Sequence, residues 1–241
     1  MILYGRNAVA EALRAGRRQV LQIWATDKVA AESWLAGDPR VTVTNPFDIA
    51  HRAESDSHQG VCAEVEAYHY AGAAELLAAR DPLILALDEV QDPQNLGAIC
   101  RSAECAGVTG VVIPERRAAE VTPAVCRASA GAVEWLRLAR VRNLADFLDE
   151  AKAAGCWTYG AAAGPQSISY LEPDWTGGVV LVMGAEGKGL RPRVAQSCDG
   201  LVALPLHGRI ESLNVSAAAA ALLYGILHRR QESGSGLDSD S

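Results

Sequence analysis

LILALDEVQDPQNLGAICRSAECAGVTGVVIP (residues 83–114) decides the fold class of this chain. Its opening LILAL is a continuous apolar run, the pattern of a strand covered on both faces, as in a parallel sheet flanked by helices. Asn95 can cap the helix predicted over LGAICRSAECA, Gly107 can end it, and VTGVVIP supplies a second apolar strand. Strand, helix and strand in this order make a βαβ unit. Further strands are expected at CWTYGAA (156–162), GVVLVM (178–183) and GLVALP (200–205), with an alanine-dominated last helix from about Leu213 to Arg230. A small-residue face lets backbones approach closely, so this helix is expected to pack tightly on its neighbours or on a second subunit.

Upstream the rhythm differs. Residues 1–70 read as a small α/β, sandwich-like module. Asn7 can cap AVAEALRAG with Gly16 at its stop, strands are expected at QVLQIWAT and VTVTN, AAESWLAG between them looks helical, and VCAEVEAY (61–68) alternates like a half-buried strand. AGAAELLAARDP (71–82) reads as a weakly helical linker ended by Asp81-Pro82. The division predicted is 1–70, a linker 71–82, a second domain 83–231 and a disordered acidic tail 232–241 (ESGSGLDSDS).

Length and charge agree with this division and narrow the function. A chain of 241 residues can hold one large core or two unequal ones. No apolar run reaches the roughly 18–20 residues of a membrane span, and Met1 leads into ILYGRN without signal-peptide features, so a cytoplasmic protein is expected. The six cysteines form no CxxC pair and no histidine lies at ligand spacing from them, which predicts buried free thiols and no metal. A net charge of −7 argues against nucleic acid until the charges are placed. Glu232, Asp238 and Asp240 lie in the tail, whereas arginines gather at Arg14/Arg17/Arg18, Arg116/Arg117, Arg137/Arg140/Arg142, Arg191/Arg193 and Arg229/Arg230. Each cluster taken singly reads as a solvated face.

Two further segments share the strand, loop and helix-start grammar of residues 92–104. In LVMGAEGKGL (181–190), Gly184, Gly187 and Gly189 follow a buried strand. A Walker loop needs Ser or Thr after Gly-Lys, yet Lys188 is followed by Gly189, and the order is GxxGxG rather than GxGxxG. Nucleoside triphosphate and dinucleotide binding are therefore poor fits. LPLHGRIESLNVSAAAA (204–220) places Ser212, Asn214 and Ser216 at a helix start, as caps or as the lining of a pocket. Arg101, two turns into the first helix, adds a fork-shaped cation suited to a phosphate or a base edge.

DPQNLGAICRSAE, VMGAEGKGL and LPLHGRIESLNVSAAAA resemble, in order, the three motifs of the SpoU (TrmH-type) family of S-adenosylmethionine-dependent RNA ribose 2′-O-methyltransferases, over residues 83–230. LYGRNAVAEALRAG and SHQGVCAEV resemble the L30e-like RNA-binding domain of the family members that methylate guanosine in 23S ribosomal RNA. The resemblance implies an α/β fold of SPOUT type with a deep trefoil knot, an exception to the rule that chains do not thread, preceded by the small L30e-like α/β domain. It implies S-adenosyl-L-methionine as cofactor, held through backbone groups at Gly184, Leu204 and Leu213 with Gly189 and Leu206 nearby. It also implies a homodimer, RNA as substrate, and no metal or membrane.

Carried over residue by residue, Arg101 is the catalytic position, with Asn95, Glu186, Ser212 and Asn214 as the other polar motif residues. Arginine is a poor base, so Arg101 is expected to position the nucleotide electrostatically or to stabilise developing negative charge. Asn95 and Asn214 are expected to organise the loops, and Glu186 to hold the pocket or contact the nucleotide. RNA contacts in the first domain are expected from Arg6, Arg14, Arg17 and Arg18. The alternatives are a tRNA guanosine target, a thiostrepton-resistance-type rRNA adenosine target, and a non-catalytic RNA-binding ribosome-assembly protein; the intact polar set argues against the last.

Overall fold

The structure, a computed structural model, describes residues 1–210 and 212–235. Two compact units emerge, one of Met1–His69 with Glu120–Trp135, the other of Tyr70–Ala119 with Leu136–Ser241.

In the first unit, β1 (Ile2–Tyr4), α1 (Arg6–Ala15), β2 (Val20–Ala25), α2 (Asp27–Ala30), β3 (Val41–Val43), α3 (Pro46–Ala53) and β4 (Val61–Val65) build a sheet of order β1-β4-β2-β3. β4 runs antiparallel to both neighbours, while β2 and β3 are parallel. α1 buries Ala8, Val9 and Ala12 and stops at Gly16, whose φ of 59° is left-handed. Asn7 lies inside its first turn, with Gly5 at the cap position, so the expected Asn7 cap is not formed. The helix expected over AAESWLAG is also not formed. α2 ends at Ala30 and the chain then turns, with Leu35 its buried anchor and the Trp34 indole donating to Glu32. α3, which follows the Asn45 cap and Pro46, was not foreseen.

The second domain predicted from sequence contained residues 120–135; in the structure they pack with the first unit. Here Thr122 caps α6 (Pro123–Ala128), and a single 3-10 turn follows at Ala132–Glu134. Two features bind this segment. The Arg18 guanidinium forms a buried ion pair with Glu134, with Nε donating to Oε2 at 3.0 Å. Gly131 has a φ of +86° and lies so close to α1 that a Cβ there would meet Glu11 Cβ at 2.6 Å. Only glycine fits both constraints.

The second unit contains α4 (Ala73–Leu77), β5 (Leu83–Asp88), α5 (Pro93–Cys105), β6 (Gly110–Pro114), β7 (Leu138–Val141), α7 (Leu144–Ala153), β8 (Trp157–Ala161), β9 (Ile168–Ser169), β10 (Val179–Gly184), α8 (Pro192–Ser197), β11 (Gly200–Ala203) and α9 (Val215–Ser235). Among the described residues its strands form one parallel sheet, β7-β6-β5-β10-β8-β11-β9. Every residue of β5 and β10 is buried, as the uninterrupted apolar runs require when helices cover both faces. Ile84, Ala86, Val112, Phe147, Val180 and Val182 share one core cluster. α9 turns Val215, Ala219, Leu222, Leu223 and Ile226 inward at helical spacing and packs on α5. It continues to Ser235, so the tail expected from residue 232 begins as helix; residues 236–241 lie outside the described residues.

Candidate active site

The chain leaves β5 for β6 on one side of the sheet, while β10 inserts on the other. Strand ends at such a switch point open a crevice, the usual ligand position in open α/β sheets. β5 and β10 pair from Leu83↔Val179 to Asp88↔Gly184, so the first two motif segments leave the sheet side by side.

Asp88 is fully buried at this edge, and its charge is met by Arg191 beyond the second motif loop. The Arg191 amide donates to Oδ2 at 2.8 Å and its Nε to Oδ1 at 2.7 Å. A buried carboxylate needs such a partner. This clamp was missed in the sequence, where the signal was an acidic residue ending an otherwise apolar strand.

Asp92 caps α5 by accepting from the Gln94 amide at 3.0 Å, and Pro93 supplies the preset φ of a first helical residue. The cap expected at Asn95 is therefore not formed there. One turn in, the Asn95 side chain instead bridges the other two motif segments. Its Nδ2 donates to Glu186 Oε2 at 3.2 Å and its Oδ1 accepts from Asn214 Nδ2 at 3.0 Å. Asn214 Nδ2 also reaches Glu186 Oε2 at 3.4 Å, and its Oδ1 accepts from the Ser216 amide at 2.9 Å, starting α9. Three residues from three motifs, distant in sequence, thus form one hydrogen-bonded triangle.

The second motif loop folds on itself. Ala185 and Gly189 exchange backbone hydrogen bonds at 3.1 and 2.9 Å, and Gly187 and Gly189 adopt φ of +74° and +65°. A Cβ on Gly184 would lie 2.2 Å from the Gly189 carbonyl carbon, so the turn closes only over glycine. In the third segment, residues 204–210 and 212–213 make no backbone hydrogen bond to other described residues. Leu204 is half-buried, whereas Leu206 and Leu213 are 39% and 46% exposed. A glycine-closed turn beside a stretch of unpaired N–H and C=O groups suits a ligand gripped by backbone.

Arg101 is exposed on α5, and its side chain, like that of Ser212, has no hydrogen bond or ion pair among the described residues. The structure joins Asn95, Glu186 and Asn214 directly and leaves Arg101 and Ser212 outside that triangle. No group of three His, Cys, Asp or Glu side chains among the described residues is arranged to hold a metal, and no described helix is long and apolar enough to cross a membrane.

In the first unit, Arg6 pairs with Glu32 at 2.8 Å and Arg14 with Glu11 at 2.5 Å, both partly exposed, and Arg17 is exposed. Arg18 is the correction: its side chain is 2% exposed, pairs with Glu134 and also donates to the Glu66 carbonyl, so it presents no charge to RNA. Burial alone would lower its pKa, but the hydrogen bond and charge of Glu134 outweigh that and hold it above the ordinary value.

Residues 82–224 match the SpoU rRNA Methylase family, and residues 2–71 match a module described as RNA 2′-O ribose methyltransferase substrate binding. The chain belongs to the SpoU rRNA methylase family. It is an RNA methyltransferase by that membership, and several relatives, though not all, match along nearly their whole length. It is 38% identical to a Bacillus subtilis protein named putative TrmH family tRNA/rRNA methyltransferase YacO, covering 95% of this chain and 96% of that one. It is 39% identical to the 23S rRNA (guanosine-2′-O-)-methyltransferase RlmB of Pseudomonas syringae pv. tomato, covering 95% of each. Among solved structures, the AdoMet-bound rRNA methyltransferase from Sinorhizobium meliloti superposes with a TM-score of 0.79 at 28% identity, covering 95% of this chain and 87% of that one. Asn95, Glu186 and Asn214, which the hydrogen bonds join into one triangle, all lie within the matched residues 82–224.

Proposed function

We propose that the protein transfers a methyl group from S-adenosyl-L-methionine to the ribose 2′-hydroxyl of a guanosine in 23S ribosomal RNA. The observation that carries this reading is the Asn95, Glu186 and Asn214 triangle, which ties all three motif segments together at the carboxyl ends of β5 and β10. The rRNA target rests on the named RlmB relatives, similar over almost all of both chains, and on the substrate-binding module at residues 2–71.

The cofactor would lie against the Gly184 turn and the unpaired backbone of the 204–213 loop, with Leu204 and Leu213 as backbone contacts and Gly189 and Leu206 flanking them. It supplies, when bound, an electrophilic methyl group on a sulfonium. The close approach of Gly184 to Gly189 keeps the turn tight, while Asn95 and Asn214 hold Glu186 and both loops in register. Arg101 offers only donors, so its role is to orient the nucleotide and stabilise the negative charge that builds on the 2′-oxygen as its proton leaves, which makes that oxygen the nucleophile for the sulfonium methyl group, with the thioether as leaving group. The released proton then passes to water or a substrate phosphate. Ser212, exposed at the mouth of the third loop, is assigned to substrate positioning.

The loops are read as a trefoil knot and the protein as a homodimer. Support for the dimer is the exposed apolar set around the third loop and α9, where Ile210 is 77% and Tyr224 50% exposed. The test is tritiated-methyl transfer to unmodified 23S rRNA followed by mapping of the ribose methyl group. Arg101→Ala should retain cofactor binding and lose at least 100-fold in rate. Transfer to tRNA alone, or a near wild-type rate in Arg101→Ala, overturns the corresponding part of the reading.

A further inference from the structure

The arginine clusters of the second unit converge. Arg116 and Arg117 follow β6, Arg142 follows β7, and Arg191 and Arg193 begin α8; together they line one cleft of about 510 Å³. In a chain of net charge −7, five guanidinium groups around one concavity constitute a local reversal of the protein's field.

Acidic groups offset part of it. Arg191 is committed to Asp88, Arg117 reaches Glu89 at 3.4 Å, and Arg193 pairs with Asp146 at 2.8 Å. Arg116 and Arg142 are exposed and have no charged partner among the described residues. Asn143, which lines the cleft, caps α7, so that helix's amino end opens onto the same space. The cleft is also coupled to the active site: the Arg191 on its wall is the residue that clamps Asp88 at the end of β5, directly before the first motif loop.

We propose that this cleft binds the phosphodiester backbone of the substrate RNA beside the nucleotide to be methylated, Arg116 and Arg142 contacting phosphates and Arg193 exchanging Asp146 for one. The proposal rests on the RNA-methylating reading above and adds a substrate-holding surface on the catalytic unit itself. Arginine suits such a surface because its planar fork grips phosphate oxygens in pairs. The floor (Pro114, Ala145, Val194) offers no aromatic face on which a base could stack, which favours backbone over base recognition.

The test is filter binding of unmodified 23S rRNA transcript across a potassium chloride series, comparing wild type with Arg116→Glu/Arg142→Glu. The variant should bind at least tenfold more weakly, and its slope of log affinity against log salt should be shallower by about 1.4–1.8, two phosphates at about 0.7–0.9 each. Its affinity for S-adenosylmethionine, measured calorimetrically without RNA, should be unchanged. In methyl transfer, KM for RNA should rise while kcat at saturating RNA stays within about threefold. Arg116→Lys/Arg142→Lys should recover most of the binding and the slope, and Arg116→Gln/Arg142→Gln replaces the charge-reversed pair should that fail to fold. Unchanged RNA affinity and salt slope in a folded variant overturn the proposal. So does tight binding of pyrophosphate or ATP that the variant loses while RNA binding persists, since that marks a small-anion site. A wild type that binds the transcript through the cleft yet transfers no methyl group instead refutes the functional reading and leaves the cleft standing.

Discussion

Replacing Asn214 separates two roles that the structure assigns to one side chain. Its Oδ1 caps α9 by accepting from the Ser216 amide, and its Nδ2 donates to Asn95 and Glu186. Asn214→Ala removes both. Loss of an N-cap costs about 1 kcal/mol, and two exposed side-chain hydrogen bonds contribute about 0.5 kcal/mol each at the low end of the usual range. The sum of about 2 kcal/mol corresponds to a fall in Tm of about 4–8 °C for a chain of this size. Asn214→Asp keeps an equally good cap, and its charge favours the helix amino end. It cannot donate, however, and it sets a carboxylate beside that of Glu186. Its Tm should fall by only about 2–4 °C, the share of the two lost hydrogen bonds, while kcat/KM falls at least tenfold, the equivalent of about 1.4 kcal/mol of lost transition-state stabilisation. Calorimetric melting and initial methyl-transfer rates measured on the same preparations separate the two effects. If Asn214→Asp melts as low as Asn214→Ala, the capping role is wrong; if it is fully active, the triangle does not position the site.

Glu134→Ala should destabilise the first unit by about 3–5 kcal/mol, because it strands the Arg18 guanidinium in a site where both side chains are 2% exposed; a urea midpoint close to wild type would refute the pair's structural role. Burial raises the thiols of Cys62 to about 11 and of Cys126 and Cys198 to about 12, from an ordinary 9.0. Exposed Cys105 should thus be the fast-reacting cysteine with a thiol-specific dye at pH 8, and the same label on Cys126 in the folded protein would count against this. The raised folded values also mean that the native state holds protons which the unfolded chain has lost above pH 9. Their stabilisation is complete below pH 9 and disappears as pH climbs from 9 towards 12, which urea titrations at pH 8, 9.5 and 10.5 can follow.

Much of the second unit was legible because its two central strands, β5 and β10, are apolar runs. LILAL and GVVLVM, short and rich in β-branched and aliphatic residues, read as central strands of a covered sheet, and Leu83–Leu87 and Val179–Met183 became fully buried neighbours. Less legible were α3 and α7, short helices whose Asn45 and Asn143 caps are plain once the strands on either side are placed. AAESWLAG had helical composition, but only Leu35 after Ala30 found a core to enter, and composition without a buried face does not sustain a helix. At Asn95 a cap signal competed with the stronger Asp92-Pro93 pair three residues earlier, and losing that competition is what released Asn95 to meet Glu186. Arg18 looked like part of a basic surface because its partner is 116 residues away.

The residue types at the three motif segments, their order, and the parallel α/β class were determined by sequence alone, since they rest on local grammar: apolar runs, glycines at tight turns and polar helix starts. Tertiary structure decided which of those residues meet. Strand order placed β10 against β5, and that adjacency brought Asn95, Glu186 and Asn214 into one triangle and Asp88 onto Arg191. It also turned scattered arginine pairs into a single cleft and buried one member of the expected RNA-binding set. The reason is physical. Charge and hydrogen-bond geometry act over a few ångströms, and the chain distances that separate such partners are set by the crossing of strands.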